Sequence, residues 1–292
     1  MHTAMIEHSP LNFNQPKRGI IMHNSTLTAL FATFTVFMLF SMSYGAVIVI
    51  NENFEGATAG SGTPPTGWSF IDEDGTSSYV TSATGTGSDG AGGSSGLGGE
   101  VSAGTAVVGG IPAAYLVFNT AIDLTSGLSG TFDFQLLSVG SRDDGGIILG
   151  DVADGYDHDG STGTAGEFLY ANLTEYAPNS SSLHNGAATP LASGQGIVND
   201  TTWYRATVTW TPTSGLTGDF SLTVNNFTSD LFTMATTGFT FDSANGFIGF
   251  GSVNDSIRFD NVIFSSEIPE PSTAILAGLG LMGACFRRRR RK

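Results

Sequence analysis

Trp203-Tyr204-Arg205-Ala206-Thr207-Val208-Thr209-Trp210 reads as a β-strand, and its reading decides the fold. Side chains of an extended chain alternate between two faces. Trp203, Arg205, Thr207 and Thr209 then share one face, and Tyr204, Ala206, Val208 and Trp210 the other. The separation of Trp203 and Trp210 is odd, so one of the two is expected at the surface. Working outward, Phe220, Leu222 and Val224 share a face, as do Phe239 and Phe241, and Phe247-Ile248-Gly249-Phe250 lies between glycine-rich turns. Ile257, Phe259 and Val262-Ile263-Phe264 follow. Short apolar strands at regular spacing, with turn residues between them, predict an all-β, two-sheet antiparallel sandwich instead of alternating β and α units.

Upstream, Val47 to Ile50, Trp68 to Ile71, Tyr115 to Phe118 and Ile147 to Leu149 read as further strands, and Phe132, Phe134 and Leu136 alternate cleanly. Phe168, Tyr170 and Leu173 belong to a strand whose alternation slips, for which a bulge is one cause. The stretch from Thr81 to Gly110 is so rich in Gly, Ser and Ala that it reads as long, mobile loops with room for a short edge strand. The opening Glu52-Asn53-Phe54-Glu55-Gly56 and the closing segment from Ile257 to Ser266 resemble the concanavalin-like and laminin-G-like jelly rolls. That resemblance implies a jelly-roll sandwich whose first and last strands are neighbours. It also implies a sheet face or rim able to carry a glycan-binding or catalytic site.

The two ends carry a different message. Lys17 and Arg18 precede an apolar run from Leu27 to Phe40, and Ser43 and Gly45 suit signal peptidase cleavage before Ala46. Met22 is an alternative start. At the other end Pro269, Glu270, Pro271 and Ser272 lead into the uncharged stretch Ala274 to Phe286, then Arg287, Arg288, Arg289, Arg290, Arg291 and Lys292. As a helix that stretch rises about 20 Å, against about 30 Å for a bilayer's hydrocarbon core, so it inserts only with help from arginines reaching to the headgroups. This order resembles the sorting signal of PEP-CTERM proteins. The resemblance implies export by a diderm bacterium, a transient stay in the inner membrane, processing by an exosortase, and a final place on the cell surface, outer membrane or extracellular matrix. Three parts are expected: residues 1–45 as N-terminal extension and signal peptide, 46–268 as the sandwich, and 269–292 as the sorting signal. The two end segments are expected to be helical.

Composition narrows what the body does. Between Ala46 and Ile268 three basic side chains, Arg142, Arg205 and Arg258, face 24 acidic ones, a net charge of −21. Such a surface repels nucleic acid and anionic polymers and attracts divalent cations. The only cysteine, Cys285, lies in the tail, so neither disulfides nor a cysteine-metal centre belongs to the body. No phosphate-binding loop is present despite 40 glycines, because the body has no lysine to reach a phosphate.

Asp143, Asp144, Asp151, Asp154, Asp157 and Asp159 form the densest polar cluster, with Gly145, Gly155 and Gly160 permitting tight turns. Carboxylate oxygens on a glycine-rich loop suit Ca²⁺, although Ser161 and Thr162 stand where an EF-hand needs an acid or amide and then glycine. The alternative is a solvated acidic loop. Asp255 and Asp260 with Asn254 and Asn261 are a weaker candidate, where Arg258 and Asp260 share a face and can pair with each other or with a neighbouring strand. Tyr156, Trp203 and Trp210 are the aromatic platforms a sugar ring would stack on. The paired-carboxylate strand signature of jelly-roll glucanases, the His/Tyr/Arg strand pattern of jelly-roll lyases and a nucleophile elbow are not found. The expectation is an exported surface or matrix protein holding a polysaccharide or another surface protein; a polysaccharide-active hydrolase or lyase is the alternative.

Overall fold

The computed structural model describes residues 44–72, 75–103, 114–137, 144–151, 168–174, 181–185, 190–192, 199 and 201–269. Among them every regular element is a strand. In chain order these are β1 (Tyr44–Glu52), β2 (Trp68–Asp72), β3 (Ser78–Thr81), β4 (Gly99–Ala103), β5 (Ala114–Phe118), β6 (Ile122–Asp123), β7 (Gly127–Leu137) and β8 (Asp144–Gly150). Then follow β9 (Phe168–Thr174), β10 (Ser182–Asn185), β11 (Pro190–Ala192), β12 (Tyr204–Ser214), β13 (Thr217–Asn225), β14 (Asp230–Thr240) and β15 (Asn245–Pro269). They form one compact unit, Tyr44–Pro269. The expected signal and sorting helices lie outside the described residues; of the two end segments only Tyr44 and Gly45, in β1, and Pro269, in β15, are described. No helix among the described residues is long and apolar enough to cross a membrane.

Two antiparallel sheets share β15. Its first half pairs with β5 and β8 in sheet B, ordered β2-β5-β15-β8-β9-β10-β11. Its second half pairs with β7 in sheet A, which continues through β12 and β13 to β14. On the other side of that half, β4 and β1 lie end to end, with β3 beyond β4. Tyr44 opposes Pro269 and Glu52 opposes Val262, so the first and last strands are neighbours, as the jelly-roll resemblance implies.

The strand patterns explain the layering. In β12 Tyr204, Ala206, Val208 and Trp210 are buried while Arg205, Thr207 and Thr209 point outward, the signature of a sheet with one face on the core. Between the sheets Phe250 packs on Phe132 and Phe259 at ring separations of 5.0 and 4.7 Å, and Trp210 meets Phe241 edge-on at 4.8 Å. In β9 every residue is buried. Leu169, Ala171 and Leu173 join the inter-sheet core, and Phe168 and Tyr170 join a second cluster with Tyr115, Val117 and Ile148 on the opposite face of sheet B. The expected bulge is therefore absent from this strand: β9 pairs with β8 and β10 without a register shift, and its alternation slips because both faces are apolar.

Candidate functional site

On the outward face of sheet A, strand register puts five polar side chains in one row: Asp260 on β15, Asp133 on β7, Arg205 on β12, Asn225 on β13 and Asp230 on β14. Both central acids are closed off from solvent, Asp133 at 0 % and Asp260 at 1 % exposure. The cover is the Gly/Ser segment from Ser82 to Gly98. In the structure hydrogen bonds hold this segment: Ser88 bridges to Ser94, and Ser82 and Gly98 exchange backbone and side-chain hydrogen bonds. A Cβ on Gly87 would overlap the Leu97 carbonyl, so the turn closes only around glycine. The strand that follows, β4, lies between β3 and β15 and is not an edge.

Ser88 joins the acids. Its backbone N–H donates to Asp260 Oδ2 at 2.7 Å and its hydroxyl to Asp133 Oδ2 at 2.7 Å. Asp133 also accepts from Arg205 Nε at 2.7 Å and Nη2 at 3.0 Å, and from Asn261 Nδ2 at 2.9 Å. Asn261 reaches it because β15 carries an extra residue against β7 between Asp260 and Ile263, with Asn261 at φ 48°. Burial raises the Asp260 carboxyl to about 7; donation from the Asn261 and Ser88 amides opposes this, and the charges of Asp133 and Glu55 add to it. Arg258 does not pair with Asp260. It bonds Glu100 Oε2 on β4 at 2.9 Å and Gln135 Oε1 on β7 at 2.9 Å.

Beside this network opens a pocket of about 450 Å³, lined by Gly90, Ala91, Arg205, Asn225 and the β13–β14 turn from Phe227 to Asp230. The Asn226 side chain accepts from the Thr228 and Ser229 amides and fixes the turn. Phe227 sits at φ 67° with the Arg205 guanidinium 5.0 Å from its ring centre. An aromatic ring, an amide, a carboxylate and two hydroxyls converge there, the mixture that holds a polar ring compound.

The aromatic platforms need correction. Trp203 and Trp210 are both buried, at 2 % and 1 %. Trp203, just before β12, lies on the Arg205 side of the sheet, but the glycine-rich cover closes over it and its Nε1 donates to Ser94 Oγ at 3.2 Å. Trp210 is core, donating to the Leu124 carbonyl at 2.8 Å. Tyr156, Asp143, Asp154, Asp157 and Asp159 lie outside the described residues, as does the side chain of Asp144; Asp151, just past β8, is described. Among the described residues no three His, Cys, Asp or Glu side chains are grouped to hold a metal.

Sheet B carries a second polar group on its outward face. Tyr170 and Asn172 on β9 stand opposite His184 and Ser182 on β10. Tyr170 donates to Asn172 Oδ1 at 3.1 Å, and Ser182 Oγ lies 2.7 Å from His184 Nε2. Sequence marks His184 as one of two imidazoles in the body and Tyr170 as an aromatic platform, but neither their meeting with Ser182 and Asn172 nor the ring of donors around Asp133 is legible in it. Only the outward parity of Asp133, Arg205 and Asn225 hints at that ring.

The fold is a lectin-like jelly roll. Lectin II from Ulex europaeus is similar over 76 % of this chain and 100 % of its own, with TM-score 0.51 and 10 % identity. Lectin UEA-II complexed with galactose matches with the same coverage and TM-score at 9 % identity. A marine PL-14 alginate lyase from Aplysia kurodai is similar over 75 % of this chain and 99 % of its own, with TM-score 0.48 and 10 % identity. No curated protein sequence matches. The chain itself carries a PEP-CTERM protein-sorting motif at residues 267–291, which marks it as an exported protein processed by an exosortase.

Proposed function

We propose that the body is a non-catalytic glycan-binding component of the cell surface or extracellular matrix, with the Arg205–Phe227 pocket as its sugar site. The observation that carries this reading is the pocket lining: the Phe227 ring offers an apolar face to a pyranose, while Asn225, Asp230, Thr228 and Ser229 stand where hydroxyls need partners. Asp133 takes two of the Arg205 nitrogens, which fixes the guanidinium and neutralises it, so the site suits a neutral sugar. A lectin of the same fold is known in complex with galactose, which agrees with this use of the scaffold. A signal peptide over residues 1–45 and a Ca²⁺-ordered rim over Asp143 to Asp159 belong to the same reading. The test is a glycan array with the full chain in detergent, with and without Ca²⁺, beside Phe227→Ala. Binding that the variant loses supports the site; an array silent for the wild-type chain in both conditions overturns it.

One observation favours a second reading, a polysaccharide-active enzyme. His184, Ser182, Tyr170 and Asn172 bring an imidazole, two hydroxyls and an amide together as a buried polar group on the outward side of sheet B, able to move a proton. Release of new reducing ends or unsaturated products from polysaccharides, abolished in His184→Ala, would establish catalysis and displace the first reading.

A further inference from the structure

The outward face of sheet A continues past the pocket. Next to the Asp260–Asp133–Arg205–Asn225–Asp230 row, two residues along β7, β12 and β13 and three along the bulged β15 and β14, register brings Ile263, Thr131, Thr207, Thr223 and Thr233 side by side. Two residues further stand Ser265, Ser129, Thr209, Ser221 and Ala235. None of these ten positions is buried. Eight carry a hydroxyl, the other two are apolar, and none is ionisable.

The spacing follows from sheet geometry. Five strands at about 4.8 Å make a row about 19 Å wide, and three rows from the pocket outward cover about 13 Å along the strands. Hydroxyls of neighbouring strands are close enough to bond, as Thr223 Oγ1 and Thr233 Oγ1 do at 2.8 Å. Ile263 and Leu231, at 43 % and 44 % exposure, add apolar surface to the same face. A neutral, hydroxylated patch of this size stands out on a body of net charge −21, whose field repels anionic chains.

We infer that the Thr/Ser face of sheet A is an extended track for a neutral polysaccharide chain, continuous with the Arg205–Phe227 pocket. The inference rests on the pocket reading and deepens it, from a site for one sugar to a surface for a polymer. Sugar rings present hydroxyls at their edges and C–H groups on their faces, and the track offers partners for both. Charge selects against alginate-like polymers. The width of a row suits several consecutive sugars, so affinity grows with chain length until the row is filled.

The test uses the full chain in detergent and affinity electrophoresis through gels cast with dextran, galactomannan, xyloglucan, arabinogalactan or alginate. Calorimetry with tetrasaccharides cut from each polymer accompanies it. The wild-type chain is expected to be retarded by at least one neutral polymer and not by alginate, with affinity at least about tenfold above that of its tetrasaccharide. Thr207→Arg with Thr223→Arg should remove most of that gain and leave tetrasaccharide affinity within about twofold, whereas Phe227→Ala weakens both. The pair Thr207→Ala with Thr223→Ala reads the same comparison with a smaller steric change should the arginines disturb folding. Equal affinity for tetrasaccharide and polymer, or full polymer binding in both double variants, overturns the track and leaves the pocket standing. Binding of neither tetrasaccharide nor polymer overturns the pocket and the track together.

Discussion

The outer faces of the two sheets are built from opposite chemistry on one shared core. Sheet A turns Thr, Ser and a charged row to the outside, and its strands β12 and β13 alternate between buried and open positions. Sheet B turns Tyr115, Val117, Ile148, Phe168 and Tyr170 to the outside, all buried, and its strands β5 and β9 are buried on both faces. The lesson is energetic. The outward side chains of β5 and β9 on sheet B are as deep as core, whereas on sheet A Asp133 and Asp260 are closed off beneath the Ser82–Gly98 cover while Thr207 and Thr233 stay exposed.

Four measurements break or sharpen that contrast. Asp133→Ala has the largest expected effect: it strips partners from Arg205, Asn261 and Ser88 at once, and breaking a buried ion pair costs about 3–5 kcal/mol. Urea unfolding reads it, and a loss below about 1 kcal/mol would mean that the cover does not hold the acid dry. Ile148→Ala on the outward face of sheet B should cost about 2–4 kcal/mol as a buried aliphatic truncation.

The third concerns pH. The folded state binds the Asp260 proton more tightly than the unfolded chain does, since its carboxyl is raised from 3.8 to about 7. This group's contribution to stability is complete below about pH 3.8 and is lost as pH rises towards 7. Denaturation midpoints of wild type and Asp260→Asn, compared at pH 4 and pH 8, should shift in favour of the variant at the higher pH, on the order of 2 kcal/mol. Parallel pH profiles would mean that the acid ionises freely. The smallest effect belongs to Thr209→Ala, outward on sheet A, expected to change stability by less than about 0.5 kcal/mol in the same assay.

The legibility of the sequence follows the same divide. Where one face is wet, period two announces the strand, as from Tyr204 to Trp210 and from Phe132 to Leu136. Where both faces are buried the period vanishes, and Phe168 to Thr174 reads as an irregular strand although its pairing is regular. The buried acids were illegible for another reason. Asp133 meets Ser88, Arg205 and Asn261 across separations of 45, 72 and 128 residues, which local patterns do not encode. Asn261 stands out in the sequence, but the bulge that aims it does not. Glycine abundance between Thr81 and Gly110 suggests loops; the pairing of Ser88 with Ser94 and the lack of room at Gly87 show that part of it permits a tight fit. Trp203 shows the limit of parity, which gives the face of a side chain but not whether a segment 109 residues away covers that face.

The course of β15 has a mechanical consequence. It passes from one sheet to the other, and its last residue, Pro269, falls inside the sorting motif. Tension applied at that residue runs lengthwise into a strand held by β7 on one side and by β4 and β1 on the other. Pulling it free means shearing two ladders of hydrogen bonds at once, not peeling one pair after another. A pull at Pro269 is thereby taken up by a strand common to both sheets.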